Sequence, residues 1–188
     1  MSDKVLILGG GGREHCLVWK VAQSEHVGKV FVSPGNAGTL LENKTENITL
    51  DTSNHQEVMQ FCEENNIDMV IIGPEAPLAD GLSDTLMSHS IACFGPSKQA
   101  AQIESSKAFA KAFMDRNGIP TAKWANFTDP DEAIKHIQNA PYDALVVKAS
   151  GLAAGKGVVV ASSKDEAIEA VQEIMEVRVT IVSVEKFQ

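Results

Sequence analysis

The sequence predicts an α/β protein in which an open parallel sheet with helices on its faces precedes a smaller α+β unit. Over the first hundred residues, short apolar runs alternate with amphipathic stretches, which is the pattern of βα units around a parallel sheet. After about residue 123 the order becomes strand, helix, strand, glycine-rich loop, strand and helix. This second pattern is typical of a small mixed unit.

The composition describes an acidic globular protein and restricts what it can bind. The chain has 188 residues, 44% hydrophobic and 22% charged, which suits one or two domains. Its 16 basic and 25 acidic residues give a net charge of −9. Such a field does not attract nucleic acid or an anionic membrane, so we expect neither partner. An anionic ligand must be held by local backbone N–H groups and single cations.

The cysteines and the chain start favour a cytoplasmic protein. Cys16, Cys62 and Cys93 are odd in number and form no Cys-x-x-Cys pair, which favours reduced thiols. The N-terminus leads directly into a strand-like run without the features of a secretory signal. No apolar run approaches the roughly 20 residues that cross a bilayer. We therefore expect a cytoplasmic location.

Residues 1–103 carry the pattern of a Rossmann-like sheet domain. The predicted strands are 5–8, 30–32, 69–72 and 91–94, and the predicted helices are about 13–23, 56–65 and 80–89. Each strand ends in a loop rich in glycine or proline, and such loops line the ligand crevice of a parallel sheet. For any one loop, simple turn formation explains the residues equally well. Three loops in register favour a binding site.

Residues 104–188 are predicted to form a helical connection, a small unit and a tail. The connection spans 104–122 and contains a helix over 107–117. The small unit, 123–176, has predicted strands at 124–127, 145–148 and 158–160 and predicted helices from about 130 and 164. In the tail, 177–188, apolar and polar residues alternate over 177–181. This alternation predicts a strand that joins the small sheet, and a frayed chain end is the alternative.

A run of glycines between the first strand and the first helix predicts a phosphate site. The glycines allow a tight turn, and the N–H groups of Gly10, Gly11 and Gly12 then face a ligand at the helix N-terminus. Arg13 adds a cation beside them. The run is not a dinucleotide fingerprint, because His15 stands where its third glycine belongs. A purely structural turn is the alternative.

A second loop, Gly73-Pro74-Glu75-Ala76-Pro77, places one carboxylate at a strand end between two prolines. The prolines restrict the loop and hold Glu75 at little further entropic cost. Glu75 is thus a candidate acceptor for an amine or a sugar hydroxyl. A solvated loop carboxylate is an equally good interpretation.

The third motif is the loop 151–157 between two predicted strands, with Lys148 just before it. The loop departs from a Walker A sequence, because Gly151 and Gly155 stand one residue too close and Gly157 replaces the Ser or Thr. A glycine hairpin carrying Lys156 can instead cover nucleotide phosphates as a lid. Lys148, on an otherwise apolar strand, is predicted to face phosphate, with an exposed edge lysine as the alternative.

Taken together, the motifs resemble phosphoribosylamine–glycine ligase. The resemblance covers residues 1 to about 176 and rests on several segments. These are Gly-Gly-Arg-Glu-His after the first strand, Pro34-Gly35-Asn36, the Glu75 loop with Leu78, Phe94-Gly95-Pro96, Glu104-Ser105-Ser106-Lys107, 118–122 and 146–157.

The resemblance implies an ATP-grasp ligase of purine synthesis, in which ATP activates the carboxylate of glycine and 5-phosphoribosylamine attacks the acyl phosphate. It implies small-molecule substrates and leaves protein partners open. The substrate-binding residues it implies are Gly10, Gly11, Gly12, Arg13, Glu14, Asn36, Gly73, Pro74 and Glu75. The ATP-binding residues it implies are Lys107, Lys111, Lys148, Gly151, Gly155, Lys156 and Gly157. Lys107 and Lys111 share a helix face at i, i+4, so which one contacts ATP stays open.

After about residue 176 the chain departs from the family pattern. The family's magnesium ligands belong to a later subdomain, and we find no replacement acidic cluster in 1–188. We therefore expect an incomplete ATP-grasp fold in a truncated form, with magnesium required by the family but its ligands absent here. We expect no ligase turnover by this chain alone and assign no catalytic residue. The alternative is a non-catalytic module that binds a nucleotide or sugar phosphate, while the failed fingerprint disfavours an oxidoreductase.

Overall fold

The computed structural model describes residues 2–149, 157–177 and 181–186. The chain divides into two compact units, Met1–Ala101 and Gln102–Gln188. Within the described residues, no helix combines the length and apolarity needed to cross a membrane. Gly151, Gly155 and Lys156, predicted to contact ATP, lie outside the described residues.

The first unit is built on a five-stranded, fully parallel sheet with the strand order β3-β2-β1-β4-β5. This confirms the predicted parallel sheet. Its strands are β1 (Asp3–Gly9), β2 (Val27–Pro34), β3 (Thr45–Asn47), β4 (Met69–Ile72) and β5 (Ala92–Phe94). Its helices are α1 (Gly12–Ala22), α2 (His55–Asn65), α3 (Glu75–Asp80) and α4 (Leu82–Ser88), with a 3-10 turn at Thr39–Leu41, and α5 (Lys98–Ser105) crosses the division between the units.

Strand β1 lies at the centre of this sheet and is buried on both faces. Leu6 and Leu8 point to one side and pack with residues of α2 and α4. Val5 and Ile7 point to the other side and pack with residues of α1. The period-2 alternation of a strand divides its apolar run between two helical layers. Because β1 is buried, its carboxyl end has a fixed position in the protein. The first of the predicted loops begins at that end.

The second unit contains a four-stranded antiparallel sheet with the strand order β6-β9-β7-β8. Its strands are β6 (Trp124–Phe127), β7 (Val146–Ala149), β8 (Val158–Val160) and β9 (Val182–Glu185). Its helices are α6 (Lys107–Arg116), α7 (Pro130–Asn139) and α8 (Lys164–Val177). Asp129 caps α7 by accepting the N–H groups of Asp131 and Glu132, 2.8 and 3.1 Å away, the role expected from its position.

The inner strand β9 gives this sheet one apolar and one polar face. Val182 and Val184 are fully buried in the core that also contains residues of α7 and α8. Ser183 and Glu185 alternate with them and therefore stand on the opposite face. In the strand register, Ser183 is the partner of both Asn126 on β6 and Lys148 on β7. We call the surface formed by Asn126, Lys148, Ser183 and Glu185 the polar face.

Three local predictions need correction. The Glu75 loop is not irregular, because Glu75 begins helix α3 and Pro77 falls in its first turn, where a backbone N–H has no helical partner. The tail strand, predicted from the alternation over 177–181, is β9 at Val182–Glu185, and Val177 is the last residue of helix α8. Strand β3 was not predicted, because it is only three residues long and two of them, Glu46 and Asn47, are of types that strands disfavour.

Candidate functional site

In the first unit, backbone and amide hydrogen bonds join three of the predicted loops at the carboxyl ends of β1, β2 and β4. The N–H of Gly35 donates to the carbonyl of Gly9, 3.2 Å away, and the N–H of Gly73 donates to the carbonyl of Leu8, 3.1 Å away. The Asn36 amide donates to the carbonyl of Gly10 at 3.0 Å. The structure therefore brings Gly10, Asn36 and Gly73 together, as expected for loops at one edge of a parallel sheet.

The glycines of these loops make room for a buried side chain, that of Glu14. A Cβ atom at Gly9 or at Gly73 would overlap the Glu14 side chain, and Gly9 also has a φ of +124°. A Cβ at Gly11 would lie 2.9 Å from Glu14 Oε2. At Gly12, in contrast, an added Cβ would meet nothing within 4 Å. Three of the glycines are thus explained by Glu14, and the space that remains open lies at Gly12.

Glu14 is 5% exposed and acts as an internal acceptor. Its carboxylate accepts the N–H of Gly11 at 2.8 Å and the Nε of Arg13 at 2.7 Å. Burial acts to raise the pKa of Glu14, but the hydrogen bonds from Arg13 and Gly11 outweigh it and the pKa is lowered. The N–H of Gly11, predicted to face a phosphate, therefore already has a partner. The buried Glu14 side chain thus fixes the shape of the glycine turn from inside the protein.

Arg13 lies between two carboxylates on the open side of the turn. Its Nη1 donates to Glu75 Oε1 at 3.0 Å, across the gap between α1 and α3. The two side chains are 56% and 48% exposed, so the pair contributes little to stability. Glu14 and Glu75 together raise the pKa of Arg13. An anion that binds Arg13 must compete with Glu75.

The side chain of Asn36 forms hydrogen bonds within the protein that shape its own loop. Its Oδ1 accepts the N–H groups of Gly38 at 2.7 Å and Thr39 at 3.1 Å, while its Nδ2 is bonded to the Gly10 carbonyl. Asn47 on β3 braces the same loop by donating to the Asn36 carbonyl at 2.9 Å. Sequence reasoning missed Asn47, since an asparagine on an unpredicted short strand gives no separate signal.

In the second unit, a buried carboxylate on the polar face joins two of the predicted lysines. Glu185 is 4% exposed, and its Oε2 lies 2.9 Å from the Nζ of Lys148 and 2.9 Å from the Nζ of Lys111. Lys111 also donates to Thr121 Oγ1 at 2.9 Å. Burial acts to raise the pKa of Glu185, but the hydrogen bonds from Lys148 and Lys111 outweigh it, so the pKa is lowered and the carboxylate is ionised.

The structure separates the two lysines whose roles the sequence left open. Lys111 belongs to the ion cluster with Glu185, whereas the side chain of Lys107, the first residue of α6, makes no hydrogen bond or ion pair within the described part of the chain. Lys148 is not an edge lysine, because β7 is an inner strand between β9 and β8. Sequence reasoning missed Glu185, whose only signal was an acid ending an alternating apolar stretch in the tail.

Three buried polar atoms on the polar face have no hydrogen-bond partner among the described residues. They are Asn126 Oδ1, Ser183 Oγ and Glu185 Oε1. Buried polar atoms are nearly always paired in folded proteins, so an unpaired group of them on one face indicates a position for water or a ligand. They lie beside the two lysines, and the face therefore offers both hydrogen-bond donors and acceptors.

Two open cavities of the second unit are lined by neither of these lysines nor Glu185, although the second includes Thr121, the partner of Lys111. One, of about 500 Å³, is lined by Lys123, Ala140, Pro141, Tyr142, Asp143, Lys164 and Lys186. The other, of about 410 Å³, is lined by Asp115, Thr121, Ala122, Lys123, Trp124, His136 and Tyr142. Neither contains a residue predicted to bind substrate or ATP.

The described residues contain no group of three or more His, Cys, Asp or Glu side chains that fits a metal ion, so we assign no magnesium site.

The second unit matches an ATP-grasp domain, which defines the chain as an ATP-grasp-type protein. An N5-carboxyaminoimidazole ribonucleotide synthetase in complex with ADP has a TM-score of 0.76 at 19% identity, covering 100% of this chain and 47% of that one, which establishes the fold alone. The family described as phosphoribosylglycinamide synthetase, N domain, matches residues 3–104, and its ATP-grasp (A) domain matches residues 105–186. The chain belongs to the phosphoribosylglycinamide synthetase family. The match continues past residue 176, where the sequence pattern was expected to depart, so strand β9 lies within the family domain.

Individual relatives agree with this assignment. The chain is 59% identical over 176 residues to the human trifunctional purine biosynthetic protein adenosine-3, covering 94% of this chain and 17% of the relative. It is 52% identical over 174 residues to the phosphoribosylamine–glycine ligase of Pseudomonas putida, covering 92% of this chain and 39% of that relative. The crystal structure of the Thermotoga maritima phosphoribosylamine–glycine ligase has a TM-score of 0.74 at 31% identity, and the match covers 98% of this chain and 44% of that one. The chain thus spans less than half the length of each, which confirms the expected partial coverage.

Proposed function

We propose that the chain supplies two substrate sites of a phosphoribosylamine–glycine ligase. The second unit would bind the phosphates of ATP, and the first would bind the phosphate and sugar of 5-phosphoribosylamine. The observation that carries the proposal is the polar face, where two lysines contact a buried carboxylate and polar atoms of Asn126 and Ser183 have no partner among the described residues. We propose the cytoplasm as its location.

The charge of the polar face suits a phosphoryl group. Two ammonium groups against one carboxylate leave one net positive charge in a partly desolvated position. The other predicted ATP ligands adjoin it in sequence, since loop 151–157 follows β7 and Lys107 begins α6. Gly157, the described end of that loop, is tied to β7, because the N–H of Ala149 donates to its carbonyl at 2.7 Å. Gly157 therefore lies beside the end of β7 that carries Lys148.

In the first unit, the open space at Gly12 and the guanidinium of Arg13 form the proposed phosphate position. The N-terminal N–H groups of α1 favour an anion there. Glu75 is then the proposed contact for the sugar hydroxyls or the amine, because its carboxylate is half exposed beside Arg13. Asn36, Gly10, Gly11, Gly73, Pro74 and Glu14 would shape this site without themselves meeting the phosphate.

The proposed reaction has two steps in the complete ligase. The carboxylate of glycine attacks the terminal phosphorus of ATP and releases ADP, and the amine of 5-phosphoribosylamine then attacks the acyl carbon and releases phosphate. The residues of this chain bind the phosphates and offset their charge, which lowers the barrier by orienting the reactants. We assign them no metal-dependent step.

Isothermal titration calorimetry with ATP and, separately, with ribose 5-phosphate tests this proposal. We expect Lys148→Met to weaken ATP binding about tenfold or more and Arg13→Met to weaken ribose 5-phosphate binding similarly, since each removes a charge-assisted hydrogen bond. The exposed Lys20→Met and Arg116→Met variants are charge-matched controls and should bind both ligands normally. Equal affinities in the test and control variants would contradict the proposed contacts.

The alternative function, a binding module without a part in ligation, predicts a different outcome in a full-length relative. Substitution of the matching lysine and arginine in the Pseudomonas putida ligase should lower its rate of glycinamide ribonucleotide formation if the sites serve ligation. Unchanged activity there, together with ligand binding by this chain, would favour the module.

A further inference from the structure

Three lysines surround the cavity of about 500 Å³ in the second unit. We call it the basic cavity, because Lys123, Lys164 and Lys186 line it together with a single carboxylate, that of Asp143. Three positive charges against one negative charge leave a net charge of +2 beside this cavity, whereas the whole chain carries −9. The local field therefore attracts anions that the chain as a whole repels.

Separate elements of the second unit bring the lysines together. Lys123 precedes β6 and Lys186 follows β9, and the N–H of Lys186 donates to the carbonyl of Lys123 at 2.8 Å. This bond extends the β6–β9 ladder by one residue, so the two lysines lie side by side. Lys164 is the first residue of α8, and its Nζ donates to the carbonyl of Gln138 in α7 at 3.0 Å. The sheet and two helices thus hold the lysines around one space.

Tyr142 gives the basic cavity an aromatic wall whose position is fixed. Its hydroxyl lies 2.8 Å from the Nε2 of His136, and the two rings pack edge to face with their centroids 5.8 Å apart. The Nζ of Lys123 lies over the Tyr142 ring, 5.8 Å from its centroid. This cation–π contact restrains a side chain that makes no hydrogen bond or ion pair with the described residues. A restrained lysine loses less entropy when a ligand binds.

The three ammonium groups keep most of their hydrogen-bond donors for a ligand. Among the described residues, Lys164 spends one of its N–H donors on the Gln138 carbonyl, and the side chains of Lys123 and Lys186 spend none. All three lysines are exposed, so a ligand can reach them. The volume of the cavity lies within the range of small-molecule sites, roughly 300–1,000 Å³. These features suit a compact ligand with several anionic oxygens, and lysine commonly binds phosphate as a point charge.

The basic cavity is distinct from the polar face of the same sheet. Side chains alternate along a strand, so Lys186 is placed on the side of Val184 and not on the side of Glu185. Neither Lys111 nor Lys148 lines the cavity. A ligand in the basic cavity would therefore contact neither lysine of the polar face.

We propose that the basic cavity is a binding site for a small phosphorylated ligand with two or more negative charges, such as a diphosphate. Lys123, Lys164 and Lys186 bind its oxygens, and the Tyr142 ring restrains Lys123 beside them. A compact phosphate is favoured over an acidic peptide, because the positive charges converge on one cavity and do not follow an extended strip. This site goes beyond the proposed ligase function and does not depend on it.

Protection of the lysines by sodium pyrophosphate tests the proposal in the 188-residue protein. The rate of acylation of each Nζ by acetic anhydride is followed by mass spectrometry. We expect the rates at Lys123, Lys164 and Lys186 to fall severalfold at one common half-saturating concentration, while the rates at exposed Lys20 and Lys135 stay constant. Equal protection of all five lysines would indicate a general ionic effect and would overturn the proposal.

Calorimetric titration with pyrophosphate measures the contribution of one lysine. Lys164→Met should weaken binding severalfold, because it removes one of the three ammonium groups. Lys135→Met removes an exposed charge from α7 outside the cavity and should leave the affinity unchanged. Equal affinities of the two variants, or a Kd of the native chain above about 10 mM at low salt, would overturn the proposal. Tighter binding of a hexaglutamate peptide than of pyrophosphate would also overturn it, in favour of an acidic protein partner.

The Lys148→Met variant separates this site from the proposed ATP site. Pyrophosphate should still protect the three lysines of the basic cavity in this variant, and loss of that protection would assign the bound anion to the polar face. In the same variant, ADP is compared with pyrophosphate to distinguish a nucleotide from a free diphosphate. Tighter protection by ADP supports a nucleotide and equal protection supports the diphosphate group alone, whereas no protection by either would overturn the proposal.

Discussion

Removal of the charge on Glu185 is expected to destabilise the second unit in a pH-dependent way. Glu185→Gln keeps the shape of the side chain but leaves Lys111 and Lys148 without their shared counter-charge. Breaking a buried ion pair costs about 3–5 kcal/mol, and the partial exposure of Lys148 (26%) places the expected loss near the lower limit, about 3 kcal/mol at pH 7. A loss of this size is a large part of the stability of a small domain.

The pH dependence has a definite sign. The folded-state pKa of Glu185 is lowered relative to that of the unfolded chain, because the two lysines outweigh the effect of burial. Its contribution is therefore complete above the unfolded-state pKa and disappears as the pH falls through the folded-state pKa. The free-energy difference between the native protein and Glu185→Gln should be largest at neutral pH and should shrink on acidification below the ordinary glutamate pKa of 4.5.

Urea unfolding monitored by tryptophan fluorescence measures this difference. The chain has two tryptophans, Trp19 and Trp124, so a Trp19→Phe background leaves only the reporter on β6 of the second unit. Glu169→Gln is the control for a change in net charge and should lie within about 0.5 kcal/mol of the background protein. A loss below about 1 kcal/mol at pH 7, or a loss that does not change with acid, would refute the buried ion cluster.

Three further predictions concern the first unit and the reaction. Gly9→Ala should destabilise the protein by at least about 1–3 kcal/mol in urea, because the φ is positive and the Cβ overlaps a buried acid, whereas Gly12→Ala should cost less than about 1 kcal/mol. Burial raises the pKa of the Cys62 and Cys93 thiols to about 11, so a disulfide reagent at pH 8 should modify exposed Cys16 fast and the other two slowly; three equal rates would contradict their burial. The 188-residue chain should form no ADP that depends on both glycine and 5-phosphoribosylamine, and sustained turnover in a coupled assay would show that its residues suffice.

The sheet domain was predictable because its apolar runs and loop residues are local signals. The runs around β1 and β4 alternate with helical stretches, and that pattern leaves few arrangements other than a parallel sheet. The loops at Gly73 and Asn36 could be placed at one edge for the same reason. The pattern could not reveal that the Glu14 side chain fills the turn. A glycine needed by a phosphate and a glycine needed by Glu14 look identical in sequence.

The second site was predicted only in part because its assembly depends on contacts distant in sequence. Lys148 could be singled out as a lone charge on an apolar strand. Glu185, 37 residues later, could not be linked to it before β9 was seen between β6 and β7. The choice between Lys107 and Lys111 likewise depends on which turn of α6 lies beside Glu185 at the end of β9. Helical spacing gives both lysines the same face and so does not distinguish them.

Protection of one amine by nucleotide tests the central claim most directly. The acylation rate of Lys148 relative to Lys20 is measured in the native chain with and without saturating ATP. If Lys148 binds the phosphates, its rate should fall severalfold while the rate of Lys20 stays constant. An unchanged rate at Lys148, under conditions where calorimetry detects bound ATP, would place the nucleotide elsewhere and contradict the account.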